Sequence, residues 1–372
     1  MIYLDYSATT YPNKNVLNTF IDASISYKGN PNSSHSLGLK TKQKIDEVTN
    51  SILDILKIKN SDLIYTSGAT EANNLAIKGI CNANKGKHII TTMLEHSSVI
   101  APINRLCKEG YEVSFAKLDE NGLIDLDDLQ TKIRKDTVLV SIVGVDSELG
   151  IRQNIEKIGK MLKEFPNCYF HVDATQLIGK TKFDFTNVDL ISFSAHKFFG
   201  IKGIGALIKK QDIKLEPLLD GGLSTTKYRS GTPCTELIIS LEKALKIAYS
   251  NFDKKLLKIK KKNKDLKDFF KKYNDVAINN TSKSIDQIIN ISLSTVKSSD
   301  LVEALNKKKI YLSTKSACSN VEALSKAVMQ IYNDELRAEN SIRISISYVT
   351  TTSELNKFKK IFHECYTKLG GK

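Results

Sequence analysis

Strand-like segments alternate with helical ones from about residue 50 to residue 250, and this alternation limits the possible folds more than any other feature. Residues 138–143 are apolar at almost every position, which is typical of a parallel strand covered on both faces. Strands are predicted at 63–66, 88–91, 112–116, 138–143, 169–172, 188–193 and 204–208, with helices at 70–78, 105–109 and 155–164. The pattern predicts a doubly wound α/β fold with a mostly parallel sheet.

The pattern changes after residue 275. Strands are predicted at 288–293, 310–313 and 342–347, and helices at 300–306 and 353–368. This succession is typical of a smaller α+β domain that closes over the first. A chain of 372 residues is long enough for two such units. We expect a large domain over residues 15–250 and a smaller one made of residues 1–14 and 251–372.

Much of the net charge of +14 comes from residues 251–275, which carry ten lysines. Apolar side chains recur there at steps of three and four, which predicts an amphipathic helix between the two domains. We favour a solvated lysine face; an acidic or RNA partner is the alternative, and direct nucleic-acid binding is not expected because no RNA-binding motif accompanies the lysines.

The remaining composition predicts a location in the cytoplasm and no metal site. No apolar run is long enough to cross a bilayer, and the first residues lack the features of a signal peptide. The six cysteines are scattered, without the spacing of a zinc site.

The polar residues at the ends of two predicted strands suggest a cofactor. Asp173 and Gln176 follow one strand, and Ser194, His196 and Lys197 follow the next. A lysine can form a Schiff base with the aldehyde of pyridoxal 5′-phosphate (PLP), and an aspartate can pair with its protonated ring nitrogen. The serine and histidine can donate hydrogen bonds to its phosphate. This ordered set predicts a PLP site.

Two further segments fit such a site, although each alone has a commoner structural explanation. Gly68 and Thr70 stand between a strand and a helix, where backbone N–H groups can hold a phosphate, although a simple turn and N-cap would look the same. His96 follows another strand and could stack on the cofactor ring and move a proton, or be purely structural. Lys202 competes with Lys197 for the Schiff-base role, but lacks the adjoining serine and histidine.

Across nearly its whole length the sequence closely resembles the cysteine desulfurases, which are PLP-dependent enzymes of fold type I in the class-V aminotransferase group. The matching segments include Ser194 to Lys197 and Ser316-Ala317-Cys318. Their order and spacing make the resemblance specific. The full set of matching segments is residues 3–10, 29–35, 66–74, 95–96, 171–176, 194–197, 229–232, 316–318 and 341–343.

The resemblance implies roles for residues around the cofactor ring. Lys197 would be the Schiff-base lysine, Asp173 would pair with the ring nitrogen, and Gln176 would face the ring hydroxyl. His96 would stack on the ring. Ser147 stands where the family usually has an asparagine that holds the same hydroxyl, and its shorter side chain would reach the hydroxyl through water.

The resemblance also implies a phosphate site and a homodimer. Thr70, Ser194 and His196 would bind the phosphate, beside Ala69 at the start of the helix. Thr232 would reach the phosphate of the neighbouring subunit.

The expected substrate is L-cysteine, and the expected product is L-alanine. Arg343 would bind the substrate carboxylate, and Cys318 would be the nucleophile that keeps the sulfur as a persulfide. A protein acceptor, either an iron–sulfur scaffold or a tRNA-modifying enzyme, would then receive it. Two alternatives stay open: a selenocysteine lyase or another PLP β-elimination enzyme, and a PLP-binding sulfur-relay protein with weak or no turnover.

Overall fold

The fold is that of a computed structural model of the chain, which describes residues 1–314 and 324–372. The strands are β1 (Ile2–Tyr3), β2 (Ser61–Thr66), β3 (His88–Thr91), β4 (Glu112–Phe115), β5 (Thr137–Val143), β6 (Tyr169–Asp173), β7 (Leu190–Ser194), β8 (Gly205–Lys210), β9 (Val276–Ile278), β10 (Ile288–Leu293), β11 (Ile310–Tyr311) and β12 (Ser341–Ser345).

The helices are α1 (Lys14–Ser26), α2 (Ser36–Ile55), α3 (Ala69–Ala83), α4 (Ser97–Cys107), α5 (Leu126–Lys132), α6 (Ile155–Leu162), α7 (Thr235–Tyr249), α8 (Phe252–Phe270), α9 (Ser298–Lys307), α10 (Lys326–Tyr332), α11 (Glu335–Glu339) and α12 (Thr352–Lys368). None of these described helices is both long enough and apolar enough to cross a membrane.

The large sheet has seven strands among the described residues, in the order β2-β8-β7-β6-β5-β3-β4. The strands from β4 to β7 pair in parallel, whereas β8 runs antiparallel to both of its neighbours. All seven residues of β5 are buried, as its apolar sequence predicted. The prediction of a doubly wound, mostly parallel α/β fold is confirmed.

A smaller antiparallel sheet, β12-β10-β9, lies against helices from the C-terminal third. Its apolar cluster contains Ile2 and Leu4 together with residues between 259 and 366. The beginning of the chain joins this part because β1 pairs in parallel with β11. Ile259, Leu266 and Phe270 form the buried side of α8, the lysine-rich helix, which is amphipathic as expected. The domain bounds themselves stay a prediction.

Several element bounds differ from those expected, each for a local reason. α4 ends at Cys107, and the chain then turns at Gly110, whose φ is +87°, instead of continuing the helix to residue 109. β12 ends at Ser345 because Ser347 and Thr350 close a turn through two hydrogen bonds. These ends change no predicted site residue.

Candidate active site

A cavity of about 470 Å³ lies at the carboxyl ends of strands in the large sheet. Ligands of open α/β sheets characteristically bind at this edge, because the loops that follow the strands converge there. The predicted site residues that line the cavity are Ala69, Thr70, His96, Ser147, Asp173, Gln176, Ser194, His196, Lys197 and Arg343. The fold therefore brings together side chains that are far apart in the sequence.

Among the predicted residues that the structure describes, Thr232 does not line this cavity. Thr232 is exposed in the segment between β8 and α7. Cys318 lies outside the described residues.

The anion cradle is formed where β2 leads into α3. The N-terminus of α3 begins at Ala69, so its first backbone N–H groups have no partner within the helix. Gly68 precedes it, and a Cβ there would lie 3.5 Å from Ser194 Oγ, so the glycine keeps the space beside this hydroxyl open. Thr70 and Ser194 both line the cavity here. This end has the donors that a phosphate group needs.

Glu71 connects the anion cradle to the segment that carries Thr232. One carboxylate oxygen accepts the backbone N–H of Ser67 at 2.7 Å, and the other pairs with Arg229 Nε at 3.0 Å. Burial alone would raise the pKa of Glu71, but these hydrogen bonds and the guanidinium charge hold the pKa below its usual range. The carboxylate is therefore ionised and keeps the segment beside the cradle.

A carboxylate also lines the cavity. Asp173 stands at the end of β6 and is 3% exposed. Its Oδ1 accepts the backbone N–H of Thr175 at 3.0 Å, and its Oδ2 accepts Asn73 Nδ2 at 2.8 Å. The two donors fix the orientation of this buried carboxylate. Its remaining lone pairs can bind a cationic ring nitrogen.

Lys197 also lines the cavity and stands in a short 3₁₀ turn after β7. Its Nζ donates to the backbone oxygens of Ser7 at 2.8 Å and Ala8 at 2.9 Å. Residues 7–10 reach this place because Thr10 N donates to the carbonyl of His196 at 2.8 Å. The beginning of the chain thus forms one wall of the site.

His96 and His196 are both neutral near pH 7. Burial lowers the pKa of His96, and Lys197 lowers it further against the opposing effect of Asp173. Burial and the charges of Lys197, Lys202 and Lys180 lower the pKa of His196 to about 4. A neutral imidazole has one N–H donor and one acceptor, and His196 Nδ1 lies 3.1 Å from Thr9 Oγ1.

Lys180 does not line the cavity but contacts Gln176, which does, and the sequence analysis missed it. It is buried, its Nζ donates to Gln176 Oε1, and Gln176 Nε2 donates to the Ser7 carbonyl at 2.8 Å. Burial, followed by repulsion from Lys197 and Arg343, lowers its pKa well below the usual value. No motif could have indicated it, because its importance comes from burial beside Gln176.

Arg343 is buried in β12, with 1% of its surface exposed. It pairs with the Asp5 carboxylate at 2.8 Å and donates to the Ser147 backbone oxygen at 2.9 Å. Its Nε has no hydrogen-bond partner among the described residues. The contact to Ser147 is through the main chain, whereas the sequence analysis considered only its side chain.

The buried Asp146 fixes the backbone around Ser147, whose carbonyl oxygen accepts the hydrogen bond from Arg343. Its carboxylate accepts the N–H groups of Glu148, Leu149 and Ile151 at 2.7–3.0 Å. Burial raises its pKa to about 6, although these hydrogen bonds act in the opposite direction. Asp146 is therefore a support for the turn over residues 146–151.

The donor set of the cavity fits PLP. A phosphate-type cradle, a lysine and a fixed carboxylate all line it, and two buried lining hydroxyls, Ser7 Oγ and Thr175 Oγ1, have no partner among the described residues. Such unsatisfied polar atoms favour a polar occupant. Across the described residues no cluster of three or more His, Cys, Asp or Glu side chains could hold a metal ion.

Comparisons with known proteins define the class of protein. Residues 2–358 match the family model "Aminotransferase class-V". The chain belongs to this family, whose members use PLP.

Particular relatives narrow the similarity to one branch. The chain is 36% identical to "Cysteine desulfurase IscS" of Dictyoglomus turgidum, over 99% of this chain and 95% of that one. It is 38% identical to the protein of the same name in Glaesserella parasuis, over 99% and 93%. A solved structure titled "NIFS-LIKE PROTEIN" superimposes with a TM-score of 0.93 at 29% identity, over 99% and 100%. The resemblance stated from the sequence is confirmed.

Proposed function

We propose that this protein is a PLP-dependent cysteine desulfurase that converts L-cysteine to L-alanine and takes the sulfur onto Cys318. The observation that carries the proposal is the single cavity in which a lysine, a fixed carboxylate, an anion cradle and a buried arginine meet. Relatives of nearly the same length, named as cysteine desulfurases, support this choice over the lyase and relay alternatives.

The residues that would hold PLP are assigned from their position in the cavity. The N-terminus of α3, Thr70, Ser194 and His196 would bind the phosphate, and Asp173 would pair with the ring nitrogen. Gln176 and Ser147 would lie near the ring hydroxyl, and His96 on the ring face. When bound, PLP would supply an electron sink that accepts the electron pair left by the removed α-proton.

Lys197 is assigned two tasks. Its Nζ would bond the cofactor in the resting enzyme and, once displaced by the substrate amine, remove the substrate α-proton. The Ser7 and Ala8 carbonyls that now accept its hydrogen bonds are fixed by the main chain, so they can receive the same amine again.

Arg343 is assigned to the substrate carboxylate. A guanidinium has five N–H donors, and the contacts to Asp5 and Ser147 use only two of them. Because the Asp5 carboxylate balances the buried charge, the fork is oriented before substrate arrives. A carboxylate that accepts two parallel N–H bonds from it would be held in one direction.

Cys318 is assigned as the nucleophile because one described flank of its segment contacts Arg343, and the other contacts Glu148, which follows Ser147. Arg343 N donates to the Ser313 carbonyl at 2.7 Å, and Ser325 Oγ donates to a carboxylate oxygen of Glu148. The Cys318 thiolate would attack the substrate sulfur and break its bond to carbon. The carbon would keep the electron pair and take a proton to become the alanine methyl group.

None of the described cysteines lines the cavity. Cys81 and Cys168 are buried, and burial raises the pKa of each thiol to about 12, so almost no thiolate exists near neutral pH. Cys365 is buried as well, whereas Cys234 is exposed but does not line the cavity. The accessible Cys234 therefore provides a matched control for Cys318.

A homodimer, a protein sulfur acceptor and a cytoplasmic location belong to the same proposal. The segment that carries Thr232 is exposed, so Thr232 is accessible to a second copy of the chain. Glu71 and Arg229 hold that segment beside the start of α3 in the same subunit.

The test is alanine and sulfide release from L-cysteine with a thiol reductant, comparing wild type with Cys318→Ser and Cys234→Ser. We expect turnover to be lost only in Cys318→Ser, while the visible absorbance of bound PLP remains. Equal turnover in Cys318→Ser would refute the nucleophile and favour a lyase. Lys197→Ala should abolish the visible absorbance, and an unchanged spectrum would refute the cofactor assignment.

A further inference from the structure

A buried hydrogen-bond chain runs from Asp173 to His96 through two residues that the mechanism above does not use. Asn73 on α3 is 0% exposed, and its Nδ2 lies 2.8 Å from Asp173 Oδ2 and 2.9 Å from Ser98 Oγ. Ser98 on α4 lies 2.8 Å, through the same Oγ, from His96 Nδ1. Four residues from β6, α3 and the start of α4 are thereby joined.

The geometry determines which group donates and which accepts in every bond of this hydrogen-bond chain. The side chain of Asn73 must turn its NH₂ group toward Asp173, because the opposite orientation would set an amide oxygen against a carboxylate oxygen. Ser98 Oγ therefore accepts from Asn73, and its own proton is free to point to His96 Nδ1. Asn73 Oδ1 has no partner among the described residues, which is the cost of this orientation.

The tautomer of His96 follows from the same geometry. The backbone N–H of Ser98 can only donate, and it lies 3.1 Å from His96 Nδ1. Nδ1 must therefore carry a lone pair, and the proton of the neutral ring must be on Nε2. A proton on Nδ1 would point at the Ser98 N–H, and Nδ1 could no longer accept a hydrogen bond from the Ser98 hydroxyl.

We propose that Asn73 and Ser98 are positioning residues that fix His96 as an Nε2–H donor and tie its ring to the Asp173 carboxylate. This rests on the proposed function, in which both His96 and Asp173 face the cofactor. His96 then presents a hydrogen-bond donor, and not a base, to the cavity it lines. The charged groups that act on its ring are Asp173 from β6 and Lys197 from the turn after β7.

The experiment is ¹⁵N NMR of the full-length chain labelled at histidine, recorded with and without added PLP. The chain has six histidines, and His96→Gln identifies the signals of His96. Because the imidazole ring becomes protonated at low pH, spectra are taken over a range of pH. We expect a pyridine-type shift for Nδ1 and a pyrrole-type shift for Nε2 in the neutral ring.

Variants separate positioning from general stability. Ser98→Ala removes the hydroxyl that is bonded to His96 Nδ1, so the midpoint of the His96 titration should shift by up to about one pH unit. Ser98→Thr retains a hydroxyl and should restore the midpoint, and Ser97→Ala, at an exposed neighbour, should leave it unchanged. Asn73→Ala frees the Asp173 carboxylate and should weaken PLP binding by about tenfold or more.

A pyrrole-type shift at Nδ1, or a Ser98→Ala titration that coincides with wild type, would overturn the proposal. Neither measurement needs turnover. A chain that releases no alanine from L-cysteine but shows the expected tautomer would refute the proposed function and leave this inference standing.

Discussion

Glu95 gives the sharpest test of the electrostatics around the site. It precedes His96, is 8% exposed, and its Oε1 accepts Thr92 Oγ1 at 2.7 Å and the Val143 N–H at 2.9 Å. Its Oε2 has no partner among the described residues. Burial, with repulsion from Asp173 and Asp146, raises its pKa from 4.5 to about 8.

A raised carboxyl pKa means that folding favours the protonated form. The stability gained from protonation is complete below pH 4.5 and is lost as the pH rises to about 8. At about 1.4 kcal/mol for each pH unit in this window, the loss between pH 5 and pH 7.5 is about 3 kcal/mol. Glu95→Gln resembles the protonated acid and does not titrate, so the variant should not lose this stability as the pH rises.

The assay is urea-induced unfolding of wild type and Glu95→Gln at both pH values. We expect the free energy of unfolding of Glu95→Gln, relative to that of wild type, to increase by about 3 kcal/mol between pH 5 and pH 7.5. Glu164→Gln, on the exposed surface, is the control and should show no such change. A Glu95→Gln difference that is the same at pH 5 and pH 7.5 would refute the reasoning.

Two further predictions concern the substrate and the cradle. Arg343→Lys replaces a planar fork by a point charge, so KM for L-cysteine should rise by about 10- to 100-fold, and an unchanged KM in steady-state assays would contradict the assignment. Gly205→Ala would place a Cβ 2.5 Å from the Phe193 carbonyl oxygen and 2.7 Å from the Gly68 Cα. It should lower both the thermal midpoint and PLP affinity, whereas Gly222→Ala, whose Cβ meets nothing within 4 Å, should change neither.

The sequence predicted the parts of the fold that depend on a short repeating pattern. The apolar residues of β5 and the three- and four-residue period of α8 are local signals, and each element lies where it was expected. The three residues of β9 were missed because Val276–Ile278 is too short to show a period after a run of lysines.

The site was predicted only where a residue stands in a recognisable motif. Asp173 and Lys197 follow their strands in a familiar order, and both line the cavity. Asn73 and Ser98 are 25 residues apart and look like ordinary polar residues of two helices. Their contact depends on the packing of α3 beside α4, which no local pattern encodes. The roles of all these residues stay predictions.

The wall formed by residues 7 and 8 has a consequence for the order in which the protein matures. Ser7 N donates to Ser345 Oγ at 2.9 Å, and 338 residues separate the two. At ribosomal rates of about 5–20 residues per second, synthesis of that stretch takes roughly 17 to 70 s. Throughout this interval the carbonyls that anchor Lys197 lack their support from β12. A nascent chain can therefore complete its large sheet, and the contacts of residues 7–10 to Gln176 and His196, well before the bond to Ser345 forms.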